Sequence, residues 1–193
     1  MRIVNARGVP GTLGCCAHSL SDGSQAMLTT HHVLMGAGAR ARDPVYDEHG
    51  RQIGRAEYGR LGIVQFEGSS YHIDCAVASL TDERQFASGV VARAKPGDRV
   101  TKRGAATGLT SGIVVDASFS APALIDGRER EAPRQLLIRS TESGTRFSAE
   151  GDSGAVVRNA GGAIVALLWG TSACGDAVAC HIAPVLHVLH FRA

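Results

Sequence analysis

The sequence predicts an all-β protein, and three observations carry that reading. Glycine occurs 24 times in 193 residues, aromatic residues make up only 5%, and short apolar runs alternate with turn signals. The runs lie at 14–17, 26–29, 61–66, 76–80, 112–115, 136–138, 155–157 and 163–168, each of strand length and too short for a buried helix. Between them stand Asp22-Gly23, His49-Gly50, Pro96-Gly97-Asp98, Asp126-Gly127 and Asn159-Ala160-Gly161-Gly162. These are residues that tolerate or preset turn geometry, so the runs read as hairpin-connected strands of a sandwich or barrel. Only the tail departs from this pattern. Pro184 stands near a helix start, and Val185, Leu186, Val188 and Leu189 form an apolar stripe, so residues 184–191 are expected to be a short helix.

Length and charge narrow the function. A chain of 193 residues can bury a sizeable core as one compact unit or as two small barrels. Twenty basic residues against 18 acidic ones, spread along the chain, give a formal net charge of +2 and no patch suited to nucleic acid or a lipid surface. No stretch reaches the roughly 18 apolar residues of a membrane span, and the first ten residues carry no apolar leader core. The expectation is a cytoplasmic protein, with a secreted mature form as the alternative if a leader has been removed.

The five cysteines, at 15, 16, 75, 174 and 180, lack the paired spacing of a zinc site, and no metal or cofactor is expected. Cys15 and Cys16 are adjacent on a strand, point to opposite faces and cannot easily bridge each other. Cys174 with Cys180 is the one local pairing to test against the alternative of buried, reduced thiols.

Three motifs carry chemistry. His32 lies in Leu28-Thr29-Thr30-His31-His32-Val33, Asp74 in Ile73-Asp74-Cys75-Ala76-Val77, and Ser153 in Gly151-Asp152-Ser153-Gly154. Each alone has an ordinary structural explanation. Together, in the order His, Asp, Ser and separated by 42 and then 79 residues, they read as a catalytic triad. A serine hydroxyl is a weak nucleophile until a base takes its proton, which assigns that task to His32, and Asp74 would orient the imidazole. The backbone N–H groups of Gly151 and Ser153 are the candidates for holding the oxyanion.

These strings resemble the histidine, aspartate and nucleophile motifs of the chymotrypsin-like serine peptidases. The segment 102–112 resembles the strand pair that opens the second barrel in bacterial members, and the resemblance runs from about residue 12 to residue 190. It implies two packed six-stranded antiparallel β-barrels with a short C-terminal helix. Residues 1–85 would carry His32 and Asp74, residues 86–193 would carry Ser153, and the boundary would fall near 81–92. The motif register selects His32 over His31 as the base.

The resemblance further implies a primary pocket formed by Phe147, Ser148, Leu168, Trp169, Gly170 and Ala179. Because Phe147 stands where trypsin-type enzymes carry an aspartate, a small or apolar residue is expected before the scissile bond. In glutamate-specific relatives a histidine stands in the pocket wall. Leu167 occupies that place here, and His181 would have to turn inward to replace it. The extracellular members' cysteines are Val33 and Ala149 in this chain, so those disulfides cannot form. Arg2-Ile3-Val4 resembles the pair that inserts beside the nucleophile's aspartate in trypsin-like zymogens. The implied activity is endopeptidase action on protein or peptide substrates through an acyl-enzyme. A catalytically silent peptide binder on the same fold and a small-ester hydrolase are the alternatives.

Overall fold

The computed structural model describes residues 1–81, 89–125 and 128–193. The expected Asp126-Gly127 turn and the expected barrel boundary between residues 85 and 86 lie outside the described residues.

Strands β1 (Arg2–Asn5), β2 (Pro10–Thr12), β3 (Cys15–Ser19), β4 (Gln25–Thr29), β5 (Pro44–Asp47), β6 (Gln52–Phe66) and β7 (Ser69–Leu80) build the first sheet together with β14 (Phe191–Arg192). Its order is β14-β3-β4-β7-β6-β5-β1-β2. Strands β8 (Arg99–Gly104), β9 (Gly108–Ile125), β10 (Arg128–Ser140), β11 (Val156–Asn159), β12 (Ile164–Thr171) and β13 (Ala177–His181) close a six-stranded barrel in the order β10-β13-β12-β11-β8-β9. The first sheet exceeds the expected six strands for two physical reasons. A turn through Gly8, at φ 83°, folds the N-terminal segment into the pair β1 and β2, and the chain's end returns so that Phe191 pairs with Ser19.

The long strands outrun their apolar runs. In β6, buried Ile53 and Ala56 alternate with exposed Arg55 and Glu57, so polar outward positions interrupt the run while the ladder continues. The tail helix α2 spans Ile182–Leu189 rather than 184–191. His190 takes the left-handed conformation at φ 58°, which ends the helix and frees Phe191 to pair in the sheet.

Two apolar cores fill the sheets, one around Met27, Val45 and Ile53 and one around Val100, Leu136 and Phe147. A third lies between them. There Leu28, Ile73 and Val77 of the first sheet meet Ile164, Leu167 and Cys180 of the barrel and Val185 and Leu189 of α2. This shared apolar layer fixes how the two halves face each other.

Candidate active site

The segment after β4 makes a single helical turn, α1 (His31–Leu34), so the two histidines sit on a helix. Consecutive residues on a helix point in different directions, which separates the two rings. His32 Nδ1 lies 2.5 Å from Asp74 Oδ2, and the His32 backbone N–H donates to Asp74 Oδ1 at 3.1 Å. His31 lies instead against Gly59, where an added Cβ would come within 3.0 Å of the imidazole.

Asp74 is 2% exposed in the middle of β7, so both its oxygens depend on these partners. Burial pulls the His32 pKa down, but the bond to Asp74 and its charge outweigh that and leave the imidazole above its ordinary value. For His31, burial prevails over the Asp74 charge and the pKa is lowered.

Ser153 is placed from the other half. Its carbonyl accepts from the Thr12 backbone N–H at 2.8 Å, and the next N–H, of Gly154, donates to Leu168 O at 2.8 Å. Gly154 has φ 92°, and a Cβ there would fall 2.2 Å from Thr29 Oγ1. The nucleophile loop therefore packs directly on the segment that leads into His32, and only glycine permits that approach. Among the described residues no hydrogen bond joins Ser153 Oγ to His32, and the N–H groups of Gly151 and Ser153 have no protein acceptor. A long contact between nucleophile and base is common without substrate, and two unpaired N–H groups beside a serine suit an incoming anionic oxygen.

Sequence reasoning passed over two residues that hold this loop. Lys102 and Asp152 are both fully buried and form an ion pair, Nζ to Oδ2, at 2.7 Å. The Asp152 carboxylate also accepts from the backbone N–H groups of Ala106, Thr107 and Ala149 at 2.8, 3.1 and 3.1 Å and from Thr107 Oγ1 at 2.7 Å. Burial pushes the Asp152 carboxyl up, but the bonds from Lys102, Thr107 and Ala149 outweigh it and hold it below the usual carboxylate range. A zymogen-type insertion of Ile3 is not how this carboxylate is met, because Ile3 is buried within β1 and Lys102 fills that role. The signal was strand parity, since Lys102 shares the inward face of β8 with Val100 and Gly104.

Thr12 is the second. Besides its N–H bond to Ser153 O, its hydroxyl donates to Gly151 O and accepts from the Ala105 N–H, both at 2.9 Å.

A cavity of about 190 Å³ opens beside Ser153, lined by Ser148, Ala149, Glu150, Leu168, Gly170 and Thr171. Of the six residues expected there, Ser148, Leu168 and Gly170 line it. Phe147 does not: its ring turns into the barrel core, where a Cβ on Gly112 would meet it at 2.7 Å. Ala179 is fully buried in the same core, and the Trp169 indole faces Gln135 and His72. His181 bonds Ala117 O through Nε2 at 2.9 Å and meets Tyr71 edge-on, away from this cavity.

Cys174 is exposed while Cys180 is buried in β13, and no disulfide joins them. Burial pushes the Cys15 thiol up to about 12, so it stays protonated. Among the described residues no cluster of three or more His, Cys, Asp or Glu could hold a metal ion, and no helix is long and apolar enough to cross a membrane.

Two β-units with the His–Asp pair on one and a glycine-flanked serine on the other define the chymotrypsin-like double β-barrel. Solved structures of this fold match nearly the whole chain. A glutamic-acid-specific serine protease, described as using a novel histidine triad in substrate binding, is 20% identical with a TM-score of 0.71, over 98% of this chain and 96% of that one. The Nocardiopsis protease NAPase is 15% identical with a TM-score of 0.66, over 100% and 95%. The alpha-lytic protease homolog N4 is 21% identical with a TM-score of 0.63, over 98% and 95%. No protein-family model matches the chain, and no curated protein matches it in sequence.

Proposed function

We propose that this chain is a serine endopeptidase. The observation that carries the reading is His32, doubly bonded to buried Asp74, together with Ser153 beside two unpaired backbone N–H groups on a loop that packs through Gly154 against Thr29, just ahead of His32. In this mechanism His32 Nε2 takes the Ser153 proton as Oγ attacks the peptide carbonyl. The oxyanion is held by the Gly151 and Ser153 N–H groups, and the imidazolium returns the proton to the leaving amine. Water then repeats the sequence on the acyl-enzyme. Asp74 stabilises the imidazolium and fixes its tautomer throughout.

The side chain before the scissile bond would enter the 190 Å³ cavity. Leu168, Ala149 and Gly170 give it apolar or small walls, Ser148 and Thr171 are uncharged, and Glu150 supplies the only charge. A small or apolar residue fits this lining best.

The binding-only reading has one observation in its favour, the lack of a hydrogen bond between Ser153 and His32. Labelling with a fluorophosphonate separates the two. An active site labels at Ser153, with the adduct mapped by mass spectrometry and absent from Ser153→Ala. Folded wild-type protein that stays unlabelled is a binder.

A further inference from the structure

Helix α1 is a single turn, closed by the Leu34 N–H donating to Thr30 O at 3.1 Å and the Met35 N–H to His31 O at 2.8 Å. A helix of four residues is not stable by itself in water, so its direction is set by whatever grips its ends. Near the start the grip is Asp74, whose Oδ1 accepts from the His32 N–H. At the other end it is Asn5. This residue is 3% exposed at the end of β1, and its Nδ2 donates to Val33 O at 2.9 Å and Gly36 O at 3.1 Å, with Leu34 O at 3.5 Å. Both amide hydrogens are thus engaged by carbonyls that a short helix leaves without partners, the first of them in the residue directly after His32.

Asn5 is itself fixed from the opposite side. Its Oδ1 accepts from the Arg7 N–H at 2.8 Å and the Val9 N–H at 3.0 Å, which closes the turn between β1 and β2. The β1–β2 hairpin also packs on α1 directly, since a Cβ on Gly11 would fall 2.5 Å from Val33 Cγ1. The same hairpin ends in Thr12, whose N–H and hydroxyl hold Ser153 O and Gly151 O. One pair of strands therefore anchors both the turn that carries His32 and the loop that carries Ser153.

We propose that Asn5 is a positioning residue for the reaction: by tying the α1 carbonyls to the β1–β2 hairpin, it fixes the direction in which His32 presents Nε2 to Ser153. The inference rests on the endopeptidase reading. Without Asn5, Asp74 must hold the helical turn and the imidazole at once through its two oxygens. A residue serving only the fold would cost stability and leave turnover per folded molecule unchanged. Loss of a positioning residue falls on kcat, and equally for long and short substrates, because the base acts on every acyl group alike.

Asn5→Asp separates the two roles. It keeps an oxygen for the Arg7 and Val9 N–H groups, because aspartate closes such a turn as asparagine does, and it takes the amide donors away from α1. Gly8→Ala is the control: at φ 83° the added Cβ strains the same turn, with no other atom within 4 Å of it. With both variants folded by circular dichroism, Asn5→Asp should lose about tenfold in kcat with KM within about twofold, on a peptide and on a one-residue ester alike. Gly8→Ala should lose stability and keep its kcat. In protein labelled with 15N-histidine, the His32 Nδ1–H proton should exchange faster with solvent in Asn5→Asp and not in Gly8→Ala.

A wild-type kcat in folded Asn5→Asp, a loss carried by KM, or the same kcat loss in Gly8→Ala would overturn the assignment. If Asn5→Asp does not fold, the uncharged Asn5→Ala decides it through the same split between kcat and KM. Wild type that cleaves neither substrate defeats the endopeptidase reading, and an unmoved His32 resonance in the Asn5 variant then overturns the hold of Asn5 on the base as well.

Discussion

Replacing Lys102 by methionine probes the device that holds the nucleophile loop. The variant keeps the apolar stem but removes the ammonium that bonds Asp152 Oδ2 at 2.7 Å and also reaches Thr107 Oγ1. Asp152 is then a fully buried carboxylate without a counter-charge. Removing one partner of a buried pair costs about 3 to 5 kcal/mol. The lower end applies, because the N–H groups of Ala106, Thr107 and Ala149 and the Thr107 hydroxyl still reach the carboxylate. At about 2 to 4 °C per kcal/mol for a domain of this size, about 3 kcal/mol lowers Tm by about 6 to 12 °C.

The pH dependence has a definite sign. In wild type the folded-state pKa of Asp152 is depressed, so its contribution is present above the ordinary carboxylate value and lost as pH falls through the folded one. Without Lys102 burial prevails, the pKa rises, and the variant's deficit shrinks in acid as the carboxyl is neutralised. Calorimetric or circular-dichroism melts at several pH values measure this, with the fluorophosphonate labelling rate at Ser153 as the functional readout. A variant that melts within about 2 °C of wild type at neutral pH and labels at the wild-type rate would refute the argument.

Other perturbations address the remaining parts of the site. His32 is held above its ordinary pKa of about 6.5, so kcat/KM should fall in acid with a midpoint above that value; Asp74→Asn leaves burial alone, moves the midpoint below it and costs on the order of 10⁴ in rate. Thr12→Val removes the hydroxyl that meets Gly151 O and strips the acceptor from the Ala105 N–H, and should lower kcat about tenfold with little change in KM; a loss carried by KM would count against a loop-positioning role. In Gly104→Ala the added Cβ would stand 2.1 Å from Asp152 Oδ1, so the ion pair must shift, with about 1 to 3 kcal/mol lost in denaturant titration and slowed labelling; a wild-type midpoint would mean the carboxylate has room to move.

Much of this molecule can be read in its sequence, and what cannot has physical causes. The runs at 26–29 and 76–80 lie in strands β4 and β7, and all but the first residue of 163–168 lies in β12, because each is an apolar stretch facing a core. Strands β1 (RIVN) and β5 (PVYD) escaped because each holds only two apolar residues between polar or turn-forming ones, and they pair with each other across a long stretch of chain. His32 and Asp74 come together as their motifs suggest, while the one-turn helix under them has too few residues to show a period.

The pocket was the hardest part. Whether Phe147 faces the cleft or the barrel depends on how the loop before Ser153 bends, and nothing local to Phe147 announces that Gly112 leaves room for its ring. Lys102 and Gln135 are polar residues at inward positions, and the side chains that meet them include Asp152, 50 residues away, and Trp169, 34 residues away.

The most direct test of the account is to incubate an unfolded protein with wild type and with Ser153→Ala and to map the products by mass spectrometry. The account predicts internal cleavage after small or apolar residues by wild type and an intact substrate with the variant. An intact substrate with folded wild type, or the same cuts from both proteins, would contradict it.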